Sequence, residues 1–301
     1  MSVFDWMVSR SLPAVPRPIV GFFSRKYIAG EDMDAAFATV RELRDEGAMV
    51  TLDILGEFTH ALAEAETNTT AYCDLVRAIH TRELTETNVS VKLTALGLLL
   101  DRDACLANMR RVMDVIRETD NFLRIDMEDA PCTDATLAIY ETIRAEYGDH
   151  VGVVLQSRLR RTPADVARLV TEPTNVRLCK GIYLEPREIA YTDRVIIQRA
   201  FSSLIDQLLD AGAYIGIATH DELLVFEALE SLRRRGVPKD RYEFQMLLGV
   251  EPELRRILLR AGHRLRVYVP VGPQWYAYSV RRLRENPQIA GHAFKAMFRR
   301  S

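Results

Sequence analysis

In the stretch FLRIDMED, residues 122–129, Arg124 and Asp126 stand two apart among Phe122, Leu123, Ile125 and Met127. Strand alternation puts both charges on one face, and charges inside a protein are costly unless paired or used. Pairing with Asp126 is the role this spacing offers Arg124. Further along, VRLCKGIYLEP carries Arg177 and Lys180, then Gly181, which lets a ligand approach the backbone closely. Near the C-terminal end Tyr278, Arg281, Arg282 and Glu285 fall on one helical stripe. Two guanidiniums at one point suit a carboxylate or phosphate; a solvated arginine-rich face is the other reading. Cationic anchors (Lys92, Arg281, Arg282), an acid (Asp126), amide and hydroxyl donors and a tyrosine describe a site for a small anion. The residues compose no metal site, serine elbow or reactive cysteine, so a bound cofactor is one source of reactivity. The rival is a Schiff-base lyase or aldolase acting through Lys92 or Lys180.

Residues this far apart must be brought together by the fold. The chain has 301 residues, 48% apolar and 27% charged, an ordinary globular profile able to bury a large core. A net charge of −2 argues against a nucleic-acid partner. The cysteines Cys73, Cys105, Cys132 and Cys179 are scattered without a C-x-x-C, as expected in a reducing compartment. No apolar run is long enough to span a bilayer, and the N-terminus lacks a signal-peptide pattern. A cytoplasmic protein is expected, with any membrane contact peripheral, on the inner face of the cell membrane.

Residues 1–47 read as a helical arm, broken early by Pro13, Pro16 and Pro18, with a helix ending at Gly47. From 48 onward a strand–helix unit repeats. The strands are AMVTLDIL from 48, NVSVKLTA from 88, FLRIDM from 122, VGVVLQ from 151, VRLCK from 176, YIGIAT from 214, YEFQML from 242 and LRVYVPVG from 265. A helical pattern follows each, the last (WYAYSVRRLREN) placed over the barrel mouth. Strand–helix alternation implies a parallel sheet, and eight units in one domain, 48–301, imply a (βα)8 barrel of the α/β class. An open doubly wound sheet is the alternative, but no G-x-G-x-x-G occurs. One parity of the strands collects the polar residues: Thr51 and Asp53; Ser90, Lys92 and Thr94; Arg124 and Asp126; Gln156; Lys180; Thr219; Glu243 and Gln245; Arg266 and Tyr268. The opposite parity is almost wholly aliphatic. Either these groups are structural ion pairs plugging the interior, or they line a site at the C-terminal ends of the strands.

The motifs SVKLTALG, RIDMED, VLQ, VRLCKGIY, ATHDE, YEFQML and YVPVG…YSVRRL occur in that order. The sequence from about 48 to 285 thereby resembles the proline dehydrogenase family in its short monofunctional bacterial form. The resemblance implies a distorted (βα)8 TIM-type barrel carrying FAD and oxidising L-proline to Δ1-pyrroline-5-carboxylate by hydride transfer from C5 to flavin N5. It implies that Lys92, Arg281 and Arg282 bind the proline carboxylate and that Asp126 sits beside the substrate. Tyr268 and Tyr278 would wall the ring, with Leu247 on the pocket side. Arg177 would contact the flavin, as would Met127, Gln156, Lys180, Gly181, Ile182, Thr219 and His220. A quinone would accept the electrons, a separate pyrroline-5-carboxylate dehydrogenase would take the product, and contact with the membrane would be weak. A non-catalytic proline sensor or scaffold is the remaining alternative.

Overall fold

The computed structural model describes residues 26–170, 174–276 and 279. Within them eight strands form a closed parallel barrel in sequence order: β1 (Met49–Ile54), β2 (Thr87–Val91), β3 (Leu123–Ile125), β4 (Val151–Gln156), β5 (Asn175–Cys179), β6 (Tyr214–Ala218), β7 (Tyr242–Leu247) and β8 (Leu265–Val271). β8 pairs back onto β1, with Thr51 opposite Tyr268. Closure removes sheet edges, so every strand is covered on one side by helices and on the other by the barrel interior. That is why β4, VGVVLQ, is buried at all six positions.

The helices are α1 (Met33–Asp45), α2 (Leu62–Thr81), α3 (Arg102–Glu118), α4 (Ala130–Tyr147), α5 (Thr162–Leu169), α6 (Arg194–Asp210), α7 (Glu222–Arg235) and α8 (Pro252–Arg260). Aspartates cap several of them: the Asp101 side chain accepts from the Asp103 and Ala104 amides, and Asp193 accepts from those of Val195 and Ile196. Each satisfies otherwise orphaned first-turn donors. The outward parity of the strands packs against these helices as the aliphatic core, with Val50, Leu52, Val89, Val91, Leu123, Ile125, Val176, Leu178 and Phe244 fully buried. Ahead of α1, the chain crosses the C-terminal end of the barrel: the Ala29 amide donates to Pro270 O at 3.0 Å and the Gly272 amide to Gly30 O at 3.0 Å.

Three expectations are corrected. β3 has three residues, because after Ile125 the chain leaves the sheet toward α4, whose first residues lie only five positions on. The LTA of the second strand is instead a 3₁₀ turn, Leu93–Leu96, beginning directly after Lys92. Lys180 and Thr219 do not share the interior parity. Register places Arg177 beside Gly216 and Cys179 beside Ala218, so these are the inward positions, and Lys180 and Thr219 belong to loops beyond the strand ends. Most of the last helical pattern, including Tyr278, Arg281 and Arg282, and the N-terminal arm before residue 26 lie outside the described residues.

Candidate active site

The interior polar residues divide into two layers. At the N-terminal floor, Arg266 donates through Nε to Glu243 Oε1 (2.8 Å) and through Nη2 to Oε2 (3.2 Å). Its Nη1 reaches the carbonyls of Val50 (2.8 Å) and Glu86 (3.1 Å). Tyr214 donates to Glu243 Oε2 at 3.0 Å. Burial by itself would raise the Glu243 carboxyl, but the Arg266 charge and its hydrogen bonds hold it down at about 2. Arg124 is also a floor residue. Its guanidinium donates to Val153 O (3.1 Å), Asn175 O (2.8 Å) and Asn175 Oδ1 (2.5 Å) and lies over the Phe122 ring. It therefore binds backbone and Asn175 rather than Asp126, which corrects the pairing expected from their spacing. Burial, with Arg177 alongside, pulls Arg124 down to about 9, still cationic at neutral pH.

The upper layer is built around Asp126. Oδ1 accepts from Ser90 Oγ (2.7 Å) and Arg177 Nη1 (2.7 Å), and Oδ2 accepts from Tyr268 OH (2.7 Å). Lys92 Nζ bonds both oxygens of Asp53 (3.0 and 2.9 Å), stands 3.8 Å from Asp126 Oδ2 and donates to Tyr268 OH at 3.4 Å. Burial would lower Lys92, but the Asp53 and Asp126 carboxylates outweigh it and raise its pKa, so the ammonium stays charged. Burial and the same two carboxylates lift the Tyr268 phenol well above its ordinary value, which keeps its proton available to Asp126. The Arg177 guanidinium stacks over the Tyr268 ring, 5.2 Å from its centroid.

Above this layer lies a cavity of about 660 Å³, a size typical of cofactor and small-molecule sites. Lys92, Asp126, Arg177 and Tyr268 form its base. Met127, Gln156, Leu247, Lys180, Gly181, Ile182, Thr219 and His220 line it as well, so every predicted site residue within the described part reaches one cavity. Lys180 donates to Asp221 at 3.1 Å, and His220 Nε2 accepts the Leu247 amide at 2.8 Å, tying the loop after β6 to the end of β7. Cys179 also lines the cavity, with burial raising its thiol to about 11.

Four contributors are absent from the predicted site set. Asp53, Ser90 and Gln245 are among the polar-parity residues, but their partners are set by register across the barrel. Glu128 is not among those residues. Its carboxylate accepts from the Thr94 amide (3.1 Å) and hydroxyl, and burial raises its pKa. The signal was present in RIDMED: Glu128 follows Asp126 by two, where a third inward residue of an extended strand would fall.

A closed parallel barrel with charged groups converging on a cavity at the C-terminal ends of its strands is the architecture of (βα)8 enzymes. The family model described as "Proline dehydrogenase" matches residues 36–293. Proline dehydrogenase of Deinococcus radiodurans is 36% identical over 280 residues, 92% of this chain and 90% of that protein. Proline dehydrogenase 2 of Bacillus subtilis is 35% identical, covering 90% of this chain and 89% of that one. Among solved structures, proline utilization A from Bdellovibrio bacteriovorus, inactivated by N-propargylglycine, superposes with a TM-score of 0.82 at 26% identity. That match covers 87% of this chain and 32% of the longer protein. The chain belongs to the proline dehydrogenase family, and it is an oxidoreductase of the first step of proline catabolism.

The family implies a flavin. The residues fit one. Gln156 donates through Nε2 to Met127 O (3.2 Å) and Glu128 O (2.8 Å), while its Oε1 is buried with no partner among the described residues. A buried amide oxygen left open toward a cavity is suited to a ligand donor. Gly181 has φ +89°, and a Cβ there would stand 2.5 Å from that oxygen. Glycine thus keeps the approach to Gln156 open.

Proposed function

We propose that this protein oxidises L-proline to Δ1-pyrroline-5-carboxylate with FAD held in the barrel mouth. The observation that carries this reading is the convergence of Lys92, Asp126, Arg177 and Tyr268 in one hydrogen-bonded layer under a cavity. Lys92, kept charged by Asp53, anchors the substrate carboxylate. By the family match Arg281 and Arg282 complete that clamp, and Tyr278 and Leu247 bound the ring with Tyr268. Hydride leaves the carbon beside nitrogen once the amine has lost its proton, so the anchors act by holding that carbon in position. Asp126 holds the cations and the phenol in register around it. Gln156, Gly181, Lys180, Met127, Ile182, Thr219 and His220 would hold FAD, and Arg177 would place a positive charge at its ring. FAD, when bound, supplies the two-electron acceptor.

A quinone then takes the electrons, and a separate pyrroline-5-carboxylate dehydrogenase takes the product; both activities' partners are inferred from the family resemblance. Among the described residues no helix is long and apolar enough to cross a membrane, so contact with a membrane quinone would be peripheral. The test is the absorption spectrum of the purified protein together with proline-dependent dye reduction. A flavin spectrum and dye reduction that requires proline are expected. A colourless protein whose lysine is trapped on a carbonyl substrate by borohydride would replace this reading with the Schiff-base lyase.

A further inference from the structure

Gln245 sits between the floor and the upper layer. Its Nε2 donates to Glu243 Oε1 at 2.5 Å, and its Oε1 accepts from Arg177 Nε. An amide can be flipped in principle, but here both neighbours are one-sided. Arginine only donates, and an ionised carboxylate only accepts. Glu243 is kept ionised by Arg266, so a flipped amide would face oxygen to oxygen on one side and N–H to N–H on the other. Once Nε of Arg177 is bound, the planar guanidinium has one orientation, and that orientation puts Nη1 on Asp126 Oδ1 (2.7 Å) and Ser90 Oγ (3.4 Å). The neighbouring strand makes room for this. Gly216 lies beside both Arg177 and Glu243 in register, and a Cβ there would stand 2.5 Å from Gln245 Nε2.

We propose that Gln245 is a positioning residue: it transmits the fixed geometry of the Arg266–Glu243 floor pair to Arg177 and thereby aims the Arg177 guanidinium at Asp126. Gln245 also borders the cavity, but in this role its effect on the reaction runs through Arg177. A glutamate there would set a second carboxylate against Glu243. A methionine would fill the space while making neither bond.

The experiment is a double-mutant cycle of Gln245→Met and Arg177→Met in the flavin-loaded enzyme, and it rests on the proline reading only for its kinetic arm. Gln245→Met is expected to lower kcat about ten-fold while the proline KM changes less than about three-fold, and the same substitution in an Arg177→Met background is expected to cost less than about two-fold, because coupled residues are not additive. The second readout needs no proline: the midpoint potential of the bound flavin, by reductive titration, should shift in Gln245→Met and not shift further in the double variant. Gln245→Asn, which keeps the amide but cannot span both partners, serves if Gln245→Met fails to fold, with the same expected coupling. A lowered Tm with wild-type kcat and potential, or losses that multiply across the cycle, would overturn the proposal. Wild-type enzyme that binds flavin yet ignores proline would sink the functional reading instead, and leave the potential cycle to decide this one.

Discussion

The floor and the mouth of this barrel contain the same kinds of residue and differ in how those residues are satisfied. At the floor, Glu243 receives hydrogen bonds from Arg266, Tyr214 and Gln245, and Arg266 spends its remaining donors on the Val50 and Glu86 carbonyls and the Met49 sulfur. At the mouth, Lys92, Asp126, Arg177 and Tyr268 are also bonded to one another, yet each borders a cavity. Buried charge is therefore a poor marker of function by itself. A closed pair has its charges satisfied within the barrel and is costly only to break, whereas a charged group that still faces open space is poised to meet a ligand.

The strongest test of that contrast is to break a closed pair. Arg266→Met strands the Glu243 carboxylate, and removing one partner of a buried ion pair costs about 3–5 kcal/mol. Chemical denaturation should show this loss, with kcat in the surviving folded fraction reduced only as far as Gln245 loses its anchor. If stability stayed at the wild-type level, the floor would not be structural.

Asp126→Asn should do the reverse. It keeps the shape but removes the charge that gathers Arg177 and Tyr268, so kcat/KM for proline should fall about 100-fold, a magnitude typical of losing one preorganised electrostatic group. Thermal unfolding should move much less than in Arg266→Met. A large drop in Tm with near-normal kinetics would return Asp126 to the floor's category.

Acid separates the layers more gently. Glu243 is depressed to about 2 in the folded state against an ordinary value of 4.5, so its contribution is complete above the ordinary value and is lost as pH falls from there through about 2. Glu128 is raised by burial, so the folded protein takes up its proton first and gains stability as pH drops through that raised value toward 4.5. Urea unfolding across this range should show a shallow rise followed by a fall. Buried Asp53 is raised in the same direction, so Glu128→Gln should reduce the rise and leave the fall, and an unchanged rise would mean that Glu128 does not contribute to it.

Much of this was legible in the chain itself. Apolar alternation and the strand–helix repeat determine a closed barrel, because a buried parallel strand must be aliphatic on its helix-facing side whatever its neighbours are. VGVVLQ and YEFQML fall on β4 and β7 at the same residues as the pattern. Ordered motifs likewise mark Lys92, Asp126, Arg177 and Tyr268 as site candidates. Partner choice was not legible. Arg124 and Asp126 lie two residues apart on one strand face, yet one turns to the floor and the other to the mouth, because side chains two apart in a strand stand at different heights in the barrel. Strand phase and strand ends were equally hidden: the inward positions of β5 and β6 are Arg177, Cys179, Gly216 and Ala218, and Lys180 and Thr219 follow in the loops just beyond the last of these. The partnerships of Asp53 with Lys92 and of Gln245 with Arg177 join residues 39 and 68 positions apart. Only register around the closed barrel brings such residues within hydrogen-bond distance, and no local pattern in the sequence encodes that register.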